Sequence, residues 1–145
     1  MKKGYKSVHW FKGGISEWRR FNYPLFVDKK YAQYRPVKVT PKKVKTMLDL
    51  EKIFVLDVRP QNFAKGPKFI VASYHCPLLN IIDRMAEFPK DKPIIISDWA
   101  MRQSPLAAKY LMANGFENVV GVVKGGIERW VQDGLPTEER VVKSK

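Results

Sequence analysis

Cys76 is the sole thiol of the 145-residue chain, and His9 and His75 are its imidazoles. One cysteine excludes an internal disulfide, and with two histidines it is too little for a Cys/His metal cluster, so no metal is expected. Cys76 follows an apolar stretch in Ala72-Ser-Tyr-His-Cys-Pro77, where a lone cysteine behaves as a small buried hydrophobe. His9, beside Trp10, and His75, beside Cys76, are single histidines, and neither is expected to be catalytic. Two polar stretches interrupt apolar runs: the turn Asp57-Val-Arg59-Pro60 and the loop Asp98-Trp99-Ala100-Met101-Arg102-Gln103-Ser104. Trp10, Phe11, Trp18, Phe21 and Tyr23 are interleaved with Lys12, Arg19 and Arg20. Such a pattern either stacks nucleic-acid bases or packs the segment onto a neighbouring domain; packing is the expectation.

The flanking sequence says which elements carry these residues. Ile53 to Asp57 is a short apolar run of strand type ending in the Asp57 turn. Pro93-Ile-Ile-Ile-Ser97 is a continuous apolar run suited to a parallel strand covered on both faces, and it delivers the Asp98 loop. Ser104-Pro105 then opens a helix, with Ser104 as cap and Gly115 as stop. Thr40-Pro41 opens an earlier helix, with Val44, Met47 and Leu48 at helical spacing. Phe69–Ala72 with Tyr74 onward reads as a strand region, residues 78–88 as a helix, and residues 116–123 as a strand. Gly125-Gly126 turns the chain into a last helix over residues 127–132. Strands alternating with helices predict an α/β fold with a mostly parallel sheet.

The chain repeats itself. Gly4-Tyr-Lys-Ser-Val-His-Trp-Phe-Lys-Gly-Gly-Ile-Ser-Glu-Trp18 matches Gly115-Phe-Glu-Asn-Val-Val-Gly-Val-Val-Lys-Gly-Gly-Ile-Glu-Arg-Trp130, with one extra residue in the second copy. A proline follows each tryptophan by six residues, Pro24 and Pro136. The second copy closes a domain, so the first reads as the end of another. The expected organisation is a C-terminal repeat fragment at 1–24, a linker at 25–36 and a complete domain at 37–145. Residues 4–24 are expected to form a strand and a helix packed on that domain, with a tendency to dimerise through Trp10, Phe11, Trp18 and Phe21.

The complete domain resembles the rhodanese family. The resemblance rests on Asp57-Val-Arg59, on Phe63 with Lys65-Gly66, and on a strand leading into a loop and a capped helix. It rests also on the tail Lys124-Gly-Gly-Ile127, Trp130 and Gly134-Leu-Pro136. It implies a rhodanese-like α/β fold, a mostly parallel central sheet flanked by helices on both faces, with Asp57 and Arg59 as a structural motif. It also implies a loop of the form Cys-x-x-Gly-x-Arg, whose N–H groups cradle a cysteine persulfide. Counting back from Ser104, Asp98 occupies the cysteine position, Met101 the glycine position and Gln103 the arginine position. A carboxylate cannot accept and pass on sulfane sulfur, so no sulfurtransferase activity is expected from this domain. Asp98 is expected to accept the loop N–H groups and hold the loop shut. Met101 takes a positive φ less cheaply than glycine. It is therefore expected to reshape the cradle, and with Gln103 in the arginine position Asp98→Cys alone would give little activity.

The net charge of +13 is uneven: residues 1–45 hold thirteen Lys/Arg against Glu17 and Asp28, and the remainder is nearly balanced. A polyanion such as RNA is therefore a candidate partner for the N-terminal third. The N-terminus has no apolar stretch behind its lysines, and no apolar run approaches bilayer length, so a cytoplasmic protein without a membrane span is expected. Three functions remain open: a catalytically silent rhodanese-like module with a structural, regulatory or interaction role, partnered through Trp10, Phe11, Trp18 and Phe21 by an active rhodanese domain or a second copy of itself; part of a tandem thiosulfate sulfurtransferase whose active cysteine lies upstream; and a polyanion binder. No cofactor is implied.

Overall fold

In the computed structural model the described residues are 4, 6–26, 28–61 and 67–140. Phe63, Lys65 and Gly66, part of the resemblance, lie outside them. The elements run α1 (Gly14–Arg20), α2 (Lys29–Ala32), β1 (Lys38–Val39), α3 (Pro41–Asp49), β2 (Phe54–Asp57), β3 (Lys68–Ile70), β4 (Tyr74–His75), α4 (Ile81–Arg84), β5 (Ile94–Ser97), α5 (Ser104–Ala113), β6 (Val119–Val123), α6 (Gly126–Gln132) and β7 (Thr137–Glu139). Five strands form one parallel sheet in the order β1-β6-β5-β2-β4.

Alternate side chains of each strand point to opposite faces, so every central strand feeds two cores. Leu56, Ile94, Ile96 and Val122 face α4 and α5, with Ile81, Ala107, Ala108 and Leu111. Val55, Ile95 and Val123 face α3 and α6, with Val44, Ile127 and Trp130. Burial on both faces explains the unbroken apolar run of β5. The sheet therefore carries helices on both sides, and the carboxyl ends of β5 and β2 deliver the Asp98 loop and the Asp57 turn.

Several elements differ from expectation. Residues 78–88 form no single helix: 3₁₀ turns at Leu78–Asn80 and Met85–Glu87 flank the four-residue α4. The apolar spacing there is mixed, so no continuous helical stripe exists to hold a longer helix. β6 starts at Val119, three residues late, because Phe116–Asn118 turns into the sheet and places Asn118 Nδ2 on the Pro89 and Lys92 carbonyls. Thr40 stands at the cap of α3, but its side chain makes no capping bond. β3 leaves the main sheet and pairs antiparallel with β7, a strand the sequence did not signal. Residues 25–36 include α2, capped by Asp28 Oδ1 on Tyr31 N at 3.1 Å. Tyr31 lies against α5, its hydroxyl 3.4 Å from the Leu106 carbonyl and its ring under Lys109.

The first repeat copy reproduces the helical half of the second, bond for bond. Glu17 N to Gly13 O, Phe21 N to Glu17 O, Asn22 N to Arg19 O, Tyr23 N to Trp18 O and Trp18 Nε1 to Pro24 O recur as Arg129 N to Gly125 O, Asp133 N to Arg129 O, Gly134 N to Val131 O, Leu135 N to Trp130 O and Trp130 Nε1 to Pro136 O. The expected strand is absent among described residues 4–13, because a strand needs a neighbour to take its backbone hydrogen bonds. The expected packing is absent too. α1 buries no residue, and Trp10 is 79% exposed. Phe11, Trp18, Phe21 and Tyr23 instead contact one another at ring separations of 4.9–5.7 Å.

Candidate active-site loop

β5 ends in Ser97, and the next residue, Asp98, is buried. Its carboxylate is the centre of the loop. Oδ1 accepts the Met101 N–H at 2.6 Å and the Ser104 hydroxyl at 3.1 Å. Oδ2 accepts the Gln103 N–H at 2.5 Å and the Ser104 N–H at 3.2 Å. Three backbone donors and one hydroxyl thus converge on a buried anion; such charge-assisted bonds are roughly twice as strong as neutral ones. Ser104 is the first residue of α5 rather than its cap, because its hydroxyl is turned inward to Asp98.

The loop curls around the Asp98 carboxylate. Met101 sits at φ +59°, in the left-handed region where glycine is at ease. The donors gathered on Asp98 offset the local strain of about 1–2 kcal/mol that a side chain bears there. Trp99, half-buried, packs with the α3/α6 core, and Arg102 is exposed.

A second element fixes the loop from below. Ile127 N donates to Asp98 O at 2.8 Å and Glu128 N to Trp99 O at 3.1 Å. This approach requires glycine at 126: a Cβ there would stand 2.4 Å from Asp98 O and 2.5 Å from Trp99 O. The Lys124-Gly-Gly-Ile127 motif therefore does a specific job, which its sequence alone did not disclose. It seats α6 against the loop carbonyls.

Asp57 and Arg59 form a brace beside the loop. Arg59 Nη2 lies 2.8 Å from Asp57 Oδ2, and both residues are buried. Arg59 Nη2 also donates to Lys68 O at 2.8 Å, tying the end of β2 to β3. The Arg59 and Arg140 guanidinium groups each lie over the Phe69 ring, at 4.4 and 4.6 Å. His75 Nε2 meets the Arg59 carbonyl oxygen at 2.8 Å. His9 is exposed and meets Ser7 Oγ at 2.8 Å. Cys76 is fully buried in the α4/α5 core, and burial raises its thiol above the ordinary value. A buried neutral thiol is not a nucleophile.

Residues 40–133 match the rhodanese-like domain family. The chain is 34% identical over 91 residues to a sulfurtransferase of Allochromatium vinosum, covering 62% of this chain and 82% of that protein. It is 31% identical over 103 residues to the thiosulfate sulfurtransferase GlpE of Glaesserella parasuis, covering 70% and 92%. A rhodanese-related protein of Thermoplasma volcanium superposes with a TM-score of 0.62 at 23% identity, over 72% of this chain and 98% of that one. Among the described residues no helix is long and apolar enough to cross a membrane.

Proposed function

The chain belongs to the rhodanese-like domain family, and from that premise we propose that it is a silent member, a structural, regulatory or interaction module without sulfurtransferase activity of its own. The observation that carries this reading is the Asp98 carboxylate. It stands where the family resemblance places the sulfur-bearing cysteine, and it takes up the Met101, Gln103 and Ser104 N–H groups itself. A persulfide needs those donors and a sulfur atom to carry it. Here an internal anion uses the donors, and the side chain has no sulfur. Cys76 offers no substitute, being buried with a raised thiol pKa. The test is a thiosulfate–cyanide assay on the full chain. No thiocyanate is expected, and turnover abolished by Cys76→Ser would overturn the reading.

A second reading draws on the five repeated hydrogen bonds of residues 13–24. In it the chain is part of a tandem sulfurtransferase in which another repeat bears the nucleophile. The exposed faces of Ile15, Phe21 and Trp10 then cover part of that repeat. Mass spectrometry of the native polypeptide, captured with antibodies to the complete domain, tests it. A second set of rhodanese-like peptides in the same polypeptide or a bound chain is expected; a chain of 16.8 kDa alone would rule it out.

A further inference from the structure

Beside the closed loop lies an open groove of about 690 Å³, within the size range of small-ligand sites. Three segments far apart in sequence line it: Lys38, Thr40 and Lys42 from β1 and the start of α3, Met101 from the loop, and residues 124–133 at α6. Its charge is one-sided. Arg129 is paired with Asp133 at 2.7 Å, so those two cancel. Lys38, Lys42 and Lys124 make no salt bridge among the described residues, and Glu128 is the one remaining carboxylate of the lining. Two positive charges are left uncompensated.

The placement of Lys42 is unfavourable for the fold by itself. The first turn of α3 holds Lys42 and Lys43 and no acidic residue, although the positive end of a helix dipole favours carboxylates there. The Thr40 hydroxyl makes no capping bond and lies on the groove. Gln132 adds a neutral hydrogen-bonding group, and Pro41 and Met101 add an apolar floor. Lysines gathered against their own electrostatic preference, beside polar side chains and an apolar floor, suit a ligand that brings its own negative charge and an organic body.

We propose that this groove binds a small phosphate monoester. Such a group carries roughly −1.5 to −2 at neutral pH and matches the uncompensated charge. Its oxygens meet Lys38, Lys42 and Lys124, and its organic part lies over Pro41 and Met101. The site is separate from the Asp98 cradle and does not depend on the domain being silent. It touches that cradle at Met101, whose N–H donates to Asp98.

The test is a titration of the isotope-labelled full chain with AMP, adenosine and inorganic phosphate, followed by amide chemical shifts. AMP and phosphate are expected to move the Met101, Lys124 and Gly125 amides, AMP more tightly, and adenosine is expected to leave them unmoved. Lys42→Glu with Lys124→Glu should weaken AMP roughly tenfold or more without lowering the melting temperature, and raised salt should weaken it in the native chain. No shift at millimolar AMP would overturn the proposal. So would equal shifts with adenosine, or shifts confined to the basic segment of residues 6–35.

Discussion

Met101, held at φ +59°, donates its backbone N–H to Asp98 Oδ1 at 2.6 Å. The carboxylate and the strained residue hold each other in place. Without Asp98 nothing else in the loop gathers the Met101, Gln103 and Ser104 N–H groups. Asp98→Ala therefore leaves one buried and two half-buried backbone donors unpaired and is expected to cost about 2–4 kcal/mol of stability. Denaturant unfolding measures this, and a loss below about 0.5 kcal/mol would show that water satisfies the loop equally well.

The two glycine pairs of the repeat predict opposite outcomes for one substitution. Gly126→Ala drives a Cβ to within 2.4 Å of Asp98 O and should destabilise the domain by roughly 2–5 kcal/mol. Gly14→Ala meets nothing within 4 Å. It should fray α1 and leave the main melting transition in place, as should deletion of residues 1–24. A large loss of melting temperature in either N-terminal variant would mean that the first copy supports the domain after all.

Much of this was legible in the sequence, for physical reasons that can be named. β5 was visible because a strand buried on both faces must be apolar throughout, and Ile94–Ile96 are. Asp98 was placed by counting back from Ser104-Pro105, and its acceptance of loop N–H groups follows from its position. The role of Gly126 was hidden because its partners, the Asp98 and Trp99 carbonyls, lie far away in the chain. The β3–β7 pairing was hidden for the same reason, since short polar Thr137–Glu139 gives no strand pattern. The first copy misled as to its strand. Its residues carry the pattern, but a pattern cannot supply the neighbouring strand.

Cys76 should be inert in the folded protein. Its thiol is raised chiefly by burial, so little thiolate exists near neutral pH. A thiol-disulfide reagent should label it only after denaturant is added. Rapid stoichiometric labelling of the native chain would contradict its burial.

Glu87 is expected to contribute to acid sensitivity. Arg84, and after it Tyr74, hold its carboxyl at about 2 through hydrogen bonds. A depressed folded pKa gives stability that is fully present above the unfolded value of about 4.3 and is lost as pH falls through about 2. The difference in melting temperature between the native chain and Glu87→Gln should shrink over that window. A constant difference would show the interaction to be absent in solution.

The central claim of the proposal is that Asp98 takes the place of a sulfur-bearing side chain, in a loop whose N–H groups converge on that position. Intact-mass spectrometry after incubation with thiosulfate tests it, comparing the native chain with Asp98→Cys. The Met101, Gln103 and Ser104 N–H groups already converge at position 98, so the variant's thiolate should take the outer sulfur of thiosulfate, releasing sulfite, and pass it to cyanide as thiocyanate. Met101→Gly in the same background should ease the local strain and raise the yield. The native chain should gain no sulfur. A one-sulfur gain by the native chain, lost on Cys76→Ser, would contradict the account.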